Sequence, residues 1–203
     1  MPVWQKAIKR GLDIALSGVG LIVLAVPLGL IGLAIKLDSR GPVLFRHPRV
    51  GRDGRNFVPL KFRTMVEGAM DQGLGTTVSE SDRRVTRVGG FLRRWALDEL
   101  PQLWNVLKGQ MSLVGPRPTF AYQVELYDDY QRRRLEIRPG ITGWAQINGR
   151  NAIDWPKRIE LDVWYVDNAT LWLDVKILIR TVWLAFVVRQ GLYGRDGVNP
   201  DFK

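Results

Sequence analysis

Cysteine is absent from the 203 residues, and histidine occurs once, at His47. Without cysteine there is no disulfide framework and no thiolate metal site, and the composition suits a reducing compartment. His47 stands between Arg46 and Pro48, where a lone histidine reads as a surface or packing residue rather than a ligand or a base. Internal repeats and low-complexity tracts are missing as well. Acidic residues are in deficit, 20 Asp and Glu against 30 Lys and Arg, which leaves a formal net charge of +10. The partner is therefore anionic: nucleic acid, an acidic membrane face or phosphorylated small molecules. Nucleic acid fits poorly, because the aromatics are not interleaved with Lys or Arg on a strand platform. The length suits one domain, or one domain and an anchor.

The N-terminal region supplies such an anchor. Ile14 to Ile35 runs for 22 residues without a charge, long enough to cross a hydrocarbon core of about 30 Å as a helix. It is too long for a signal-peptide core of roughly 7 to 15 residues, and no clear small-residue cleavage site follows, so it is expected to stay in the protein. Lys6, Lys9 and Arg10 precede it; Lys36, Arg40, Arg46 and Arg49 follow. Basic residues on both flanks favour placing both ends on the cytoplasmic side. Pro27, mid-segment, deletes a backbone donor and collides with the carbonyl of Val23, at about 3 kcal/mol in an ordinary helix. A kinked helix entering and leaving by one leaflet meets both observations; a simple span also accepts proline.

Beyond the anchor, Val43 to Phe45 and Asn56 to Phe62 read as strands around an Asp53-Gly54 hairpin turn, with Lys61 and Arg63 on one face of the second. Glu67 to Glu80 reads as a mobile loop, and Val88 to Leu97 and Tyr122 to Ile137 as helices. Leu171 to Val188 is apolar but carries Asp174, Lys176 and Arg180. That pattern predicts an amphipathic helix in the membrane interface, with Trp172 and Trp183 at headgroup level, or else an ordinary core helix.

Chemistry concentrates between Arg93 and Pro118, RRWALDELPQLWNVLKGQMSLVGPRP. Pro101 is tolerated only in a first helical turn, and Leu100, Leu103, Trp104 and Leu107 recur at helical spacing, so a helix is expected from Asp98 or Glu99 to a stop at Gly109. Unpaired N–H groups at such a start hold a carboxylate ionised and attract phosphate. On these residues alone, Asp98 is better explained as a helix cap without chemistry. Three basic turns add cations. Pro116 and Pro118 bracket Arg117, and Arg138 and Arg150 stand beside glycines that let backbone N–H groups approach an oxyanion.

Taken together, these blocks resemble the monotopic phosphoglycosyl transferases, the bacterial polyprenyl-phosphate hexose-1-phosphate transferases. The resemblance runs through the anchor with its proline, Lys61-Phe62-Arg63-Thr64-Met65, Asp82 through Arg93, Leu97 through Gln102, Asn105 through Gly109, Val114 through Pro118, Arg138 through Arg150, Asp162 through Tyr165 and Asp174 through Ile177.

It implies an α+β, mainly helical fold with an N-terminal re-entrant membrane helix (residues 1–40), a short β-hairpin and several amphipathic interfacial helices. The catalytic domain (residues 41–203) would lie on the cytoplasmic face of a bacterial inner membrane. The implied activity transfers a sugar 1-phosphate from a UDP-sugar to a polyprenyl phosphate, undecaprenyl phosphate above all, with Mg²⁺, initiating membrane glycan assembly; no nucleic acid is involved. The implied nucleophile, and metal ligand, is Asp98, with Glu99 assisting in catalysis. The implied phosphate-facing residues are Lys61, Arg93, Arg117, Arg138 and Arg150. Asp162 and Asp174 match acidic positions open to a metal or a structural role. Three residues depart from the pattern: Ala96 and Val26 replace common serines, and Gln110 a common aspartate. The rival classes are a membrane-tethered nucleic-acid-binding protein and a non-catalytic scaffold, the latter opposed by the intact Asp98-Glu99 pair.

Overall fold

The computed structural model describes residues 1–71, 78–79, 82–149, 152–185 and 198–199. Mainly helical α+β architecture is observed, with short strands in two-stranded pairs. The chain opens with α1 (Val3–Val23) and α2 (Ala25–Asp38), bent by 62° at Leu24. Pro27 dictates the break: it falls in the first turn of α2, where its missing N–H is not needed. Among the described residues no single helix is long and apolar enough to cross a membrane, whereas the bent pair is by length and composition.

A polar stripe on α1 starts ahead of the apolar run and continues into it. Lys9 reaches Asp174 at 2.6 Å and the Val114 carbonyl at 3.0 Å. Arg10 donates to the carbonyls of Val106 (2.7 Å) and Leu107 (3.0 Å), and Asp13 accepts from the Leu113 N–H at 3.0 Å. Asp13 and Ser17 are buried, and the Cβ position of Gly20 lies 3.2 Å from Leu103. Leu12, Leu16, Val19 and Val23 on the other side are exposed. The far end of the pair grips the same body: Ile35 packs with Phe62 and Leu92, and Asp38 accepts from the Val88 N–H. Burying each such large apolar side chain is worth about 1.5–3 kcal/mol.

The hairpin forms as the Asp-Gly pair predicts, with Asp53 and Gly54 both at positive φ. β1 (Leu44–Arg46) pairs antiparallel with β4 (Leu60–Phe62), and β2 (Arg49–Val50) with β3 (Asn56–Phe57). The expected second strand is thus divided, because Pro59 has no N–H for a ladder. Asn105 bridges the gap, accepting from Leu60 N–H and donating to the Val58 carbonyl, both at 2.8 Å. Half of the expected 67–80 loop falls outside the described residues. Its described parts include a 3₁₀ turn, Ala69–Asp71, and β5 (Val78–Ser79), antiparallel to β8 (Val198–Asn199).

Then follow α3 (Arg87–Arg94), a 3₁₀ turn over Leu97–Gln102, α4 (Leu103–Leu107) and β6 (Ser112–Val114), which runs parallel to β7 (Gly140–Thr142). The helix expected over 122–137 is interrupted: α5 is Ala121–Glu125 and α6 Asp129–Arg132, because Asp128 caps a fresh start by accepting from the Gln131 N–H. After α7 (Trp144–Ile147) and α8 (Trp155–Asn168) comes α9 (Leu171–Trp183). Trp172 and Trp183 of α9 are exposed, as an interfacial helix requires, while Asp174 and Ile177 face the interior.

Candidate active site

The dyad sits on the 3₁₀ turn, not on the start of an α-helix. Pro101, which has no N–H to donate, sits within this turn, and regular α geometry begins only at Leu103. The residue preceding the turn is Ala96, in left-handed conformation at φ 54°. Asp98 therefore lies inside the turn and is not its cap. The helix ends as expected, with Gly109 at φ 78° after α4. Five residues of α-helix carry little dipole, and the side chains supply the positive field instead.

Lys61, on β4, places its Nζ 2.6 Å from Asp98 Oδ2 and 3.4 Å from Glu99 Oε1. Arg117 holds Glu99 in a two-point fork, Nη2 to Oε1 at 2.6 Å and Nη1 to Oε2 at 3.2 Å. Both carboxylates are buried, at 4% and 7% exposure. Two adjacent negative charges at such burial require compensation of this kind. The Glu99 charge in turn raises the pKa of Arg117 above its ordinary value. Arg93 donates from Nε to Thr64 Oγ1 at 2.8 Å. It is brought there because α3 presses on the strand end: the Gly89 Cβ position lies 2.0 Å from the Thr64 carbonyl oxygen, so only glycine fits.

Arg117 is aimed by backbone packed on backbone. A Cβ on Gly140 would stand 2.1 Å from Gly115 N, and one on Gly143 2.2 Å from Gly115 O. These glycines press the Gly-Pro-Arg-Pro turn onto the 138–143 loop, which is a different use from the oxyanion approach expected of them. Beneath the turn, Arg134 donates to the Arg117 carbonyl at 3.0 Å, to the Tyr127 hydroxyl at 2.6 Å and to Asp162.

Lys61, Arg93, Asp98, Glu99 and Arg117 line one cleft of about 1080 Å³, a volume suited to a nucleotide sugar. His47 lies on its wall between Phe45 (6.2 Å between centroids) and Phe120 (5.1 Å), a packing role as the sequence suggests. Arg138 is not brought there. Its Nε donates to the Gly109 carbonyl at 2.8 Å, beyond the end of α4. Burial, with Arg10 and Arg52 nearby, lowers its pKa. Arg150 lies outside the described residues. Arg63, in alternation with Lys61, turns to the carbonyls of Ser39 and Arg40 instead.

The other two candidate carboxylates are engaged in pairs away from the dyad. Asp162 pairs with Arg134, both 2% exposed. Asp174 pairs with Lys9 and accepts from the Tyr165 hydroxyl; burial raises its pKa while Lys9 opposes the shift. Among the described residues no group of three or more His, Asp or Glu side chains is placed to hold a metal ion. The cleft nevertheless offers the hard oxygens of Asp98 and Glu99. Mg²⁺ is bound in many phosphate sites through one or two carboxylates, substrate phosphate and water, so the donor set fits it.

Arg134 and the tertiary contacts of the Lys9-Arg10-Asp13 stripe escaped the sequence reading. Only the stripe left a trace there, as Arg10, Asp13, Ser17 and Gly20 recur at helical spacing.

The sequence matches the family described as bacterial sugar transferase over residues 4–188. It is 47% identical over 167 residues to an uncharacterized sugar transferase of Bacillus subtilis, covering 82% of this chain and 81% of that protein. It is 45% identical over 192 residues to the undecaprenyl-phosphate glucose phosphotransferase of Komagataeibacter xylinus, covering 88% of this chain and 36% of that one. With the UDP-glucose:undecaprenyl-phosphate glucose-1-phosphate transferase of Escherichia coli the identity is 44% over 192 residues, covering 90% and 41%. The chain thus spans most of the first relative and less than half the length of the other two. With the family matched across nearly the whole chain and the acidic pair seated between two cations, this protein belongs to the bacterial sugar transferases.

Proposed function

We propose that the protein transfers a sugar 1-phosphate from a UDP-sugar to a polyprenyl phosphate, releasing UMP and initiating assembly of a membrane glycan. The observation that carries this is the buried Asp98-Glu99 pair, clasped by Lys61 and Arg117 in a cleft of nucleotide-sugar size. The names of the Komagataeibacter and Escherichia relatives support the same reaction class.

In the first half-reaction a carboxylate oxygen of Asp98 attacks the sugar-bearing phosphorus. The bond from that phosphorus to the bridging oxygen breaks, UMP leaves with the electron pair, and an acyl phosphate remains on Asp98. In the second, an oxygen of the lipid phosphate attacks the same phosphorus and the Asp98 carboxylate departs. Glu99 orients or deprotonates the acceptor. Lys61, Arg93 and Arg117 meet the diphosphate oxygens, for which the bidentate fork of arginine is well shaped. Mg²⁺, held by Asp98, supplies charge neutralisation when bound. A panel of UDP-sugars with undecaprenyl phosphate and Mg²⁺ is expected to release UMP in at least one case, and chelator to stop it. Absence of UMP across the panel refutes the reaction.

The setting is the cytoplasmic face of the inner membrane, with residues 1–40 as a re-entrant anchor and 41–203 as the catalytic part. Support comes from the bend at Leu24 and from both ends of the α1–α2 pair gripping one body. Because the chain lacks cysteine, Lys6→Cys and Arg40→Cys, both at exposed positions, can be labelled singly in intact cells. A membrane-impermeant thiol reagent added outside is expected to reach neither. If it labels position 6 but not 40, the helix spans and the re-entrant topology is wrong.

A further inference from the structure

A second cavity, of about 260 Å³, meets the wide cleft at Glu99 and Arg117, which line both. Its remaining walls are more apolar, made chiefly by Leu100, Leu103, Leu113, Ile141, Leu178 and Leu184, with Arg94, Thr142 and Thr181 among them. Gln146 also lines it. Both polar atoms of the Gln146 amide are buried without a hydrogen-bond partner among the described residues. An amide in that condition is costly to the fold unless something else completes its bonds. The cavity adjoins an apolar surface. Leu178 and Leu184 of the α9 segment face it, while Ile179, Val182 and Trp183 on neighbouring positions are exposed.

We infer that this cavity seats the acceptor: the isoprene units next to the phosphate of a polyprenyl phosphate, with the phosphate itself between Arg117 and the Gln146 amide. The inference rests on the reaction proposed above. Leucine and isoleucine walls suit branched hydrocarbon and offer little to a ribose or a uracil, and the volume is below that of a nucleotide site. Arg117 spends two of its five N–H groups on Glu99, and among the described residues the others are open to a phosphate arriving from either cavity. The exposed stripe of α9 gives the rest of the lipid a path to the bilayer. Donor and acceptor thus enter by separate cavities, and Glu99, the neighbour of Asp98 in the chain, stands where the two join, which is the position from which it can orient the second substrate.

A photoreactive farnesyl phosphate analogue tests this on the full-length protein in nanodiscs. It is expected to label peptides 141–147 and 178–185, with undecaprenyl phosphate competing. Leu178→Trp, which fills the cavity, should remove the labelling and raise KM for undecaprenyl phosphate at least tenfold. UMP release in the absence of lipid should keep its wild-type burst. Gln146→Leu keeps the volume and removes the amide; it should raise KM for the acceptor about tenfold and leave KM for the UDP-sugar unchanged. Labelling confined to the wide cleft overturns the assignment, as does an equal loss of both half-reactions in a variant with wild-type thermal midpoint. Labelling needs no turnover, so failure of the reaction itself, seen as no UMP from any donor, is read separately from failure of the lipid site.

Discussion

Asp98→Asn is expected to abolish turnover, by at least about 10⁴-fold, since an amide is a very poor nucleophile towards phosphorus and removal of a covalent catalyst costs on that order. The wild-type protein, given UDP-sugar and Mg²⁺ without lipid, should release UMP and retain the sugar phosphate as a base-labile adduct on the peptide holding Asp98. Polyprenyl phosphate should then discharge it. Glu99→Gln should slow the discharge more than the formation, because its proposed part belongs to the acceptor. Initial rates at varied concentrations of both substrates give parallel double-reciprocal lines for the covalent route. Intersecting lines with no trapped adduct would leave Asp98 as a metal ligand or base. The burial of Asp98 against Lys61 at 2.6 Å bears on this result. Asn lacks the charge that Lys61 compensates, so the variant also needs a thermal scan to show that it folds.

The largest stability effect is expected at a residue outside the cleft. Asp162→Ala strands Arg134, 2% exposed, without its counter-ion, and removing one partner of a buried pair costs about 3–5 kcal/mol. Denaturation is best measured at pH 8. Burial pushes the Asp162 carboxyl up to about 6 against the pull of Arg134, so at pH 8 it is charged and the pair is intact. Replacing both partners, Asp162→Leu with Arg134→Met, should recover most of the loss, since apolar groups of similar size need no counter-charge. Activity should fall in the single variant as well, because Arg134 holds the Arg117 carbonyl at 3.0 Å. A loss below about 1 kcal/mol would show that the pair contributes little.

What the sequence disclosed and what it concealed follow from the range of the interactions. Asp98, Glu99, Arg93 and Arg117 were legible because they stand in one stretch whose chemistry points to phosphate, and Lys61 only through the family resemblance; the structure gathers all five in one cleft. The hairpin was legible because Asp53-Gly54 imposes its own backbone geometry. Arg138 looked like Arg117, an arginine among prolines and glycines, yet it meets a helix-end carbonyl 29 residues away. Nothing local distinguishes the two. The Arg134–Asp162 pair spans 28 residues and the Lys9–Asp174 pair 165; such partners come together only through the tertiary fold. The 3₁₀ turn was hidden for a subtler reason. Apolar spacing marks which side of a segment is inward but does not separate a tight helix from an ordinary one, and Pro101 permits both beginnings.

The grip of α1 on the body has a mechanical meaning for an enzyme at a bilayer. A loose tether lets its cargo ride at any height, whereas a helix bolted through Arg10 to the end of α4 does not. From Arg10 to the break at Leu24, α1 rises about 20 Å along its axis, and α4 continues directly from the turn that carries Asp98. On the proposed topology the anchor acts as a depth gauge. Its length fixes how far the reacting carboxylate stands from the middle of the bilayer, and a thicker or thinner membrane cannot be met by tilting the helix alone. The whole molecule must rise, sink or tip, so that hydrocarbon thickness sets the meeting point of a water-borne donor and a membrane-bound acceptor.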